Sequence, residues 1–171
     1  YDLPPQIGVF IDGSSFFTFN QDASLLSKKE NYTLCLPEAG AYTLQASPSS
    51  QSLHLSLTDL VYLNLAQSSG FKKSTLLDPN ASFHKLLHSH TLQAGLSSYQ
   101  DNPKIHLIPS SARPHLIKNP QESYNLIHLS EVGLSSTESA AAISQNYQNL
   151  YTQEAFKLYH QHLSKEGLFI I

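Results

Sequence analysis

The first third of the chain alternates apolar and polar residues in short runs. Strand-sized and helix-sized apolar patterns then take turns to the end. Ile7-Gly8-Val9-Phe10-Ile11 is an apolar run stopped by Asp12-Gly13, a strong turn pair, and Phe16, Phe17 and Phe19 predict a returning strand. Asn31 to Leu36 predicts another strand, which Pro37 keeps from continuing as a central one. Residues 1 to about 45 therefore read as β, and the serine-rich stretch Ala46 to Ser52 reads as a linker.

Beyond that stretch, strands and helices alternate, which implies a parallel sheet. The predicted strands are Leu53 to Leu57, Ser74 to Asp78, Lys104 to Ile108, Tyr124 to Leu129 and a last one begun by Gly167. The predicted helices start at Thr58-Asp59 and end at Gly70, then cover Ala81 to Ala94, Ser111 to Lys118, Ala140 to Ile143 and Thr152 to Lys165. In the first of these, Leu60, Val61, Leu63, Leu65 and Ala66 supply the buried stripe. In the last, Ala155, Phe156, Tyr159 and Leu163 share a face. The closing run Leu168 to Ile171 predicts a buried strand, and position 1 is Tyr, so the chain reads as an excerpt of a longer protein.

Leu53 to Asn80 carries the strongest functional signal. Strand, tight turn, helix and strand end on an acid, Asp78, which is the outline of a nucleotide-binding half of a Rossmann fold. In that unit the acid hydrogen-bonds a ribose hydroxyl, and glycines in the first turn let the backbone approach the ligand. The turn here, Ser56-Leu57-Thr58-Asp59-Leu60, has no glycine. Asp78-Pro79-Asn80 is equally a common turn and helix-cap sequence.

Composition narrows the classes. Net charge is −3, only 13% of residues are charged, and Lys28-Lys29 and Lys72-Lys73 are the largest basic clusters. A nucleic-acid surface would need a basic stripe. The single cysteine, Cys35, excludes an internal disulfide and a cysteine-based zinc cluster and reads as a small buried hydrophobe. No apolar run spans a bilayer and no signal peptide is visible, so a cytoplasmic location is expected.

Several stretches resemble bacterial spermidine synthase-like proteins. Leu3-Pro4-Pro5-Gln6-Ile7-Gly8-Val9-Phe10-Ile11-Asp12-Gly13 looks like their N-terminal β segment. Tyr99-Gln100-Asp101-Asn102-Pro103-Lys104-Ile105 and Ala112-Arg113 resemble the approach to their third strand. Tyr124-Asn125-Leu126-Ile127-His128-Leu129-Ser130, then Asn146-Tyr147, Leu150-Tyr151-Thr152-Gln153-Glu154-Ala155-Phe156 and Leu163 to Ile171, are similar to the family's closing motifs. The resemblance runs in family order over nearly the whole chain. It implies a Rossmann-like, class I methyltransferase-like α/β fold over residues 47–171, preceded by a small β segment over 1–46 and truncated at its C-terminus. It also implies descent from enzymes that bind S-adenosylmethionine or its decarboxylated form.

The departures fall where the chemistry would sit. The family's glycine-rich turn aligns with Ser56 to Leu60, placing Ser56 and Thr58 at the cofactor's aminoacid end. The acid expected near the adenine is Ser111. The fourth strand of an aminopropyltransferase ends in two acids that position and deprotonate the attacking amine, whereas Ser130-Glu131-Val132-Gly133 offers one, displaced by a position. Asp78 alone matches the ribose acid. Two functional readings follow. In one, the domain is divergent, lacks aminopropyl transfer, and binds or scaffolds, with self-association as one outlet. In the other, a transferase holds an S-adenosyl ligand through Asp78, Ser56, Thr58 and Ser111 and uses Glu131 as the base toward a small amine.

Remaining constellations are weaker. His84 and His88 share a helix face at ligand spacing, but no third ligand accompanies them, so no metal is expected. A Ser/His/Asp reading lacks the G-x-S-x-G elbow. Tyr147, Tyr151 and Tyr159 read as core or interface residues.

Overall fold

The computed structural model describes residues 6–11, 14–20, 38–56, 59–81, 84–85, 102–130 and 149–171, of which 6–11, 14–20 and 60–61 are described as backbone. Two strands, β1 (Gln6–Ile11) and β2 (Ser14–Asn20), pair antiparallel as a hairpin with a register shift at Val9/Phe10. This matches the apolar run and the returning phenylalanines, while Asp12-Gly13 lies outside the described residues. The predicted strand Asn31 to Leu36 lies outside the described residues.

The expected β character up to about residue 45 is corrected at its end. Ala39–Gln45 is a helix, α1, whose Ala39 and Tyr42 are buried. Only two inward residues mark it, too few for helical periodicity to appear in the sequence. The expected linker after it is also a built element. The Ser50 hydroxyl donates to the Ser47 carbonyl and accepts the Ser47 amide, both at 2.8 Å, and the chain enters the next strand at once.

Five parallel strands follow. They are β3 (Gln51–His54), β4 (Lys73–Leu77), β5 (Ile105–Ile108), β6 (Tyr124–His128) and β7 (Leu163–Ile170), in the spatial order β5-β4-β3-β6-β7. The chain thus winds outward from β3 through β4 to β5, then crosses back to lay β6 on the other side of β3. The gap between the carboxyl ends of β3 and β6 is the topological switch point, where open α/β sheets hold ligands. The Rossmann-like α/β expectation is met.

Helices cover both faces. On one side, α1 and α2 (Leu60–Ser69) lay Tyr42, Leu65 and Ala66 over Leu126, with Phe71 beside them. On the other, α3 (Ala112–Lys118) and α4 (Gln153–His162) close over Leu53, Leu55, Leu77, Ile127 and Leu129 through Ala112, Leu116, Ala155 and Tyr159. Each fully buried leucine contributes about 1.5–3 kcal/mol of transfer free energy. The expected stripe of α2 holds at Leu63, Leu65 and Ala66, and Gly70 (φ +104°) ends the helix, its amide returning to the Ala66 and Gln67 carbonyls. α4 is capped by Thr152, whose hydroxyl accepts the Ala155 amide at 3.2 Å. It is shorter than expected: it stops at His162, and Leu163 already opens β7. The predicted helix over 140–143 and most of that over 81–94 lie outside the described residues.

Two features fix β6 against its neighbours. Between Tyr124 and Leu126 the pairing with β7 jumps from Leu163 to Leu168, so the intervening residues bulge. A Cβ on Gly167 would stand 2.9 Å from both the Tyr124 carbonyl oxygen and Leu163 Cδ2, so only glycine fits. Gly167→Ala is expected to lower stability by about 1–3 kcal/mol, read as a fall in the urea midpoint at unchanged slope.

Below the strands, Glu122 accepts hydrogen bonds from the Tyr124 hydroxyl and from His115 Nε2 (3.1 Å), with Lys73 Nζ 3.8 Å away. Burial alone would raise its carboxyl, but these donors outweigh that and hold it below its usual 4.5. A lowered carboxyl stabilises the fold above its unfolded value and loses that contribution as pH falls through the folded one. The stability gap between wild type and Glu122→Gln, measured by urea unfolding, should therefore shrink as pH drops below 4.5.

Candidate functional site at the switch point

Because β3 is central and parallel, both of its faces are covered, and every second residue must be accommodated inside. Leu53 and Leu55 take one face. Ser52 and His54 take the other, pairing in register with Leu126 and His128 of β6 on one side and Ser74 and Leu76 of β4 on the other. His54 and His128 thus stand side by side at the carboxyl ends of adjacent strands, both buried beneath α1 and α2.

Their partners are polar. The Tyr42 hydroxyl lies 2.8 Å from His128 Nδ1 and 3.5 Å from His54 Nδ1. His54 Nε2 lies 3.1 Å from the Ser52 hydroxyl, which donates to Ser74 Oγ at 2.9 Å, where Gln67 Nε2 also donates at 2.9 Å. Ser52 therefore accepts from His54, which fixes the proton of that ring on Nε2 and leaves a lone pair on Nδ1. The Tyr62 ring stands edge-on to His128 with centroids 4.2 Å apart, and its hydroxyl donates to Glu38 at 3.3 Å.

Asp59 closes the crevice. The sequence expects Thr58-Asp59 to cap α2 through a side-chain oxygen, and Asp59 does occupy the capping position, but its carboxylate makes no capping bond. It turns back over the strand ends instead. Oδ2 accepts the Leu55 amide at 3.1 Å, an amide shared with the His128 carbonyl, and Oδ1 accepts the Ser130 amide at 3.2 Å as well as the Ser130 hydroxyl. One fully buried side chain thereby ties the end of β3 to the end of β6.

Burial governs the protonation of this cluster. It pushes the Asp59 carboxyl up to about 7 against the pull of the Ser130, Leu55 and Ser56 hydrogen bonds. It pushes His128 down to about 4 and, with His128 adjacent, His54 well below 6.5. Burial and then the nearby Asp59 charge raise Tyr42, and burial and then Glu38 raise Tyr62 to about 12. His128 Nδ1 and Asp59 Oδ1 are 3.8 Å apart, yet a neutral imidazole makes this a polar contact rather than an ion pair at neutral pH. Donor atoms of His54, Asp59 and His128 all lie within 4.8 Å of one another, a grouping able to ligate a cation.

The residues singled out from sequence fall in several places. Asp78 is buried at the end of β4, and its Oδ1 accepts the Asn80 amide at 2.7 Å, the bond of a tight turn. Ser56 is buried beside Asp59, at the expected turn. Ser111 is exposed at the start of α3. Thr58, Glu131, His88 and the side chain of Leu60 lie outside the described residues. His84, half of the expected histidine pair, places Nε2 2.9 Å from the Asp78 carbonyl.

Sequence reasoning missed His54, His128, Tyr42 and the inward turn of Asp59. A signal existed in Ser52-Leu53-His54-Leu55-Ser56: polar alternation in a central parallel strand means buried polar groups that need partners. Nothing local pointed to Tyr42, which is 12 residues from His54 and 86 from His128.

No protein-family model matches the chain, and no curated protein matches it in sequence. Solved structures do match. A spermidine synthase in complex with the transition-state analogue AdoDATO superposes with a TM-score of 0.58 at 14% identity, covering 92% of this chain and 46% of that one. Spermidine synthase from Thermotoga maritima gives a TM-score of 0.59 at 14% identity and the same coverage. The fold is spermidine synthase-like. The chain spans just under half the length of those enzymes. No helix among the described residues is long and apolar enough to cross a membrane.

The Tyr42 hydroxyl can be tested without disturbing packing. Tyr42→Phe keeps the ring that stacks on Tyr62 and His54 but strips the buried Nδ1 atoms of their shared partner. It should cost about 1–3 kcal/mol, measured by urea unfolding at pH 7.

Proposed function

We propose that this chain is a divergent spermidine synthase-like domain that does not transfer an aminopropyl group and serves as a binding or structural module. The observation that carries this reading is Asp59. At the switch point a ligand needs space and free backbone donors beyond the strand ends. The Ser130 amide and one lobe of the Leu55 amide are engaged by a carboxylate from the same chain. A buried carboxylate there also disfavours the anionic end of an aminoacid-bearing cofactor. The glycine-free turn Ser56 to Leu60 supports the same conclusion, since a ligand-cradling turn uses glycine to let the backbone approach closely.

One observation favours the rival reading, in which an S-adenosyl ligand is still held. Asp78 sits buried at the end of β4, the position suited to ribose hydroxyls. Its short bond to Asn80 is also that of an ordinary turn, which leaves the ribose role without separate support.

Calorimetric titration with S-adenosylmethionine, decarboxylated S-adenosylmethionine and methylthioadenosine separates the two. The divergent reading expects no saturable heat from folded chain, and no spermidine from putrescine and decarboxylated S-adenosylmethionine. Micromolar binding, about −8 kcal/mol, that is lost in Asp78→Ala would overturn it and establish a surviving adenosyl site.

A further inference from the structure

The cluster beneath α1 gathers imidazole, phenol and carboxylate oxygen and nitrogen atoms in one buried place. His54 Nδ1 is an acceptor, because the ring proton is directed from Nε2 to Ser52. The Tyr42 hydroxyl has one proton for the two Nδ1 atoms that flank it at 2.8 and 3.5 Å. Asp59 Oδ1 adds a third acceptor 3.8 Å from His128 Nδ1. All of these groups are buried, and the donor atoms of His54, Asp59 and His128 lie within 4.8 Å of one another. A buried convergence of imidazole nitrogens and oxygens is what a transition-metal ion requires.

We propose that Nδ1 of His54, Nδ1 of His128, the Asp59 carboxylate and the Tyr42 oxygen form a buried site for one divalent transition-metal ion, zinc being the best fit. Zinc bonds of about 2.0–2.1 Å to nitrogen and oxygen set a tetrahedron whose edges are about 3.3–3.4 Å. Three of its six edges, 2.8, 3.5 and 3.8 Å, bracket that value, and the His54, Asp59 and His128 donor atoms all lie within 4.8 Å of one another, a spread that side-chain rotation can close. The surroundings also suit a ligand set. His54 is oriented through its other ring nitrogen by the Ser52–Ser74–Gln67 chain, and Asp59 is held by the Leu55 and Ser130 amides. Four donors in a closed, buried setting describe a structural site rather than a catalytic one with an open position. The ion would clamp β3, β6, α1 and the start of α2 together at the switch point. This proposal does not depend on whether an adenosyl ligand binds.

The chain's nine histidines make surface binding the competing outcome, so the test must place the metal. Chain stripped with EDTA is titrated with Zn2+ and with Co2+. One equivalent should bind, the Co2+ complex should show the visible bands of four-coordinate geometry, and Zn2+ should raise the thermal midpoint. In 15N-labelled wild type, the Nδ1 resonances of two histidines should shift with the first equivalent of Zn2+. His128→Gln and Asp59→Asn should each weaken binding by at least tenfold, with His84→Ala unchanged. The wild-type spectra stand even where a core variant fails to fold. Absence of stoichiometric binding by folded wild type, six-coordinate Co2+ bands, or retention of affinity in folded His128→Gln would overturn the site.

Discussion

Asp59 accepts hydrogen bonds from both strands that border the switch point, and the arrangement around that crevice depends on this contact. β3 and β6 are neighbours in space but separated by two strands and three connections in the chain, so their carboxyl ends have no local reason to stay in register beyond the sheet ladder. The carboxylate supplies that reason, at the cost of placing an acid in a dry environment. The cost is visible in its raised protonation range. A fold that keeps such a group must hold it by several donors, and Leu55 and Ser130 provide them.

The same constraint explains the rest of the inner face. Once polar atoms are enclosed between the sheet and α1, each needs a partner from inside the protein. Tyr42 meets both histidines, Ser52 meets His54 and Ser74, and Gln67 reaches down from α2. The opposite face of the sheet carries Leu53, Leu55, Leu77, Ile127 and Leu129 against α3 and α4 in a largely apolar core. The two faces therefore do different jobs. One supplies most of the apolar burial, and the other positions a polar cluster at the place where related folds are open to a ligand.

Much of the architecture was legible in the sequence because parallel strands and amphipathic helices leave periodic marks. The alternation around Leu53, the apolar run Tyr124 to Leu129 and the stop at Gly70 each correspond to an observed element. α1 was not legible, since one tyrosine and one alanine do not make a helical stripe. The end of α4 was misplaced because Leu163 continues the helical spacing of Ala155, Phe156 and Tyr159 while belonging to β7. The site was less legible than the fold. Asp78 directly follows β4 and Ser56 lies just past β3, as the sequence order implies, whereas the direction of the Asp59 carboxylate is decided by Ser130, 71 residues away, and no local pattern encodes it.

The Ser130 amide offers the most direct test of a switch point closed from within. It donates to Asp59 Oδ1, whereas the Leu55 amide would be protected by the sheet in any case. Native-state hydrogen exchange of the ligand-free chain should find Ser130 protected nearly as well as the β6 core, with that protection lost in Asp59→Ala. Rapid exchange of the Ser130 amide in the wild type, slowed only when an adenosyl compound is added, would show instead an open crevice awaiting its ligand.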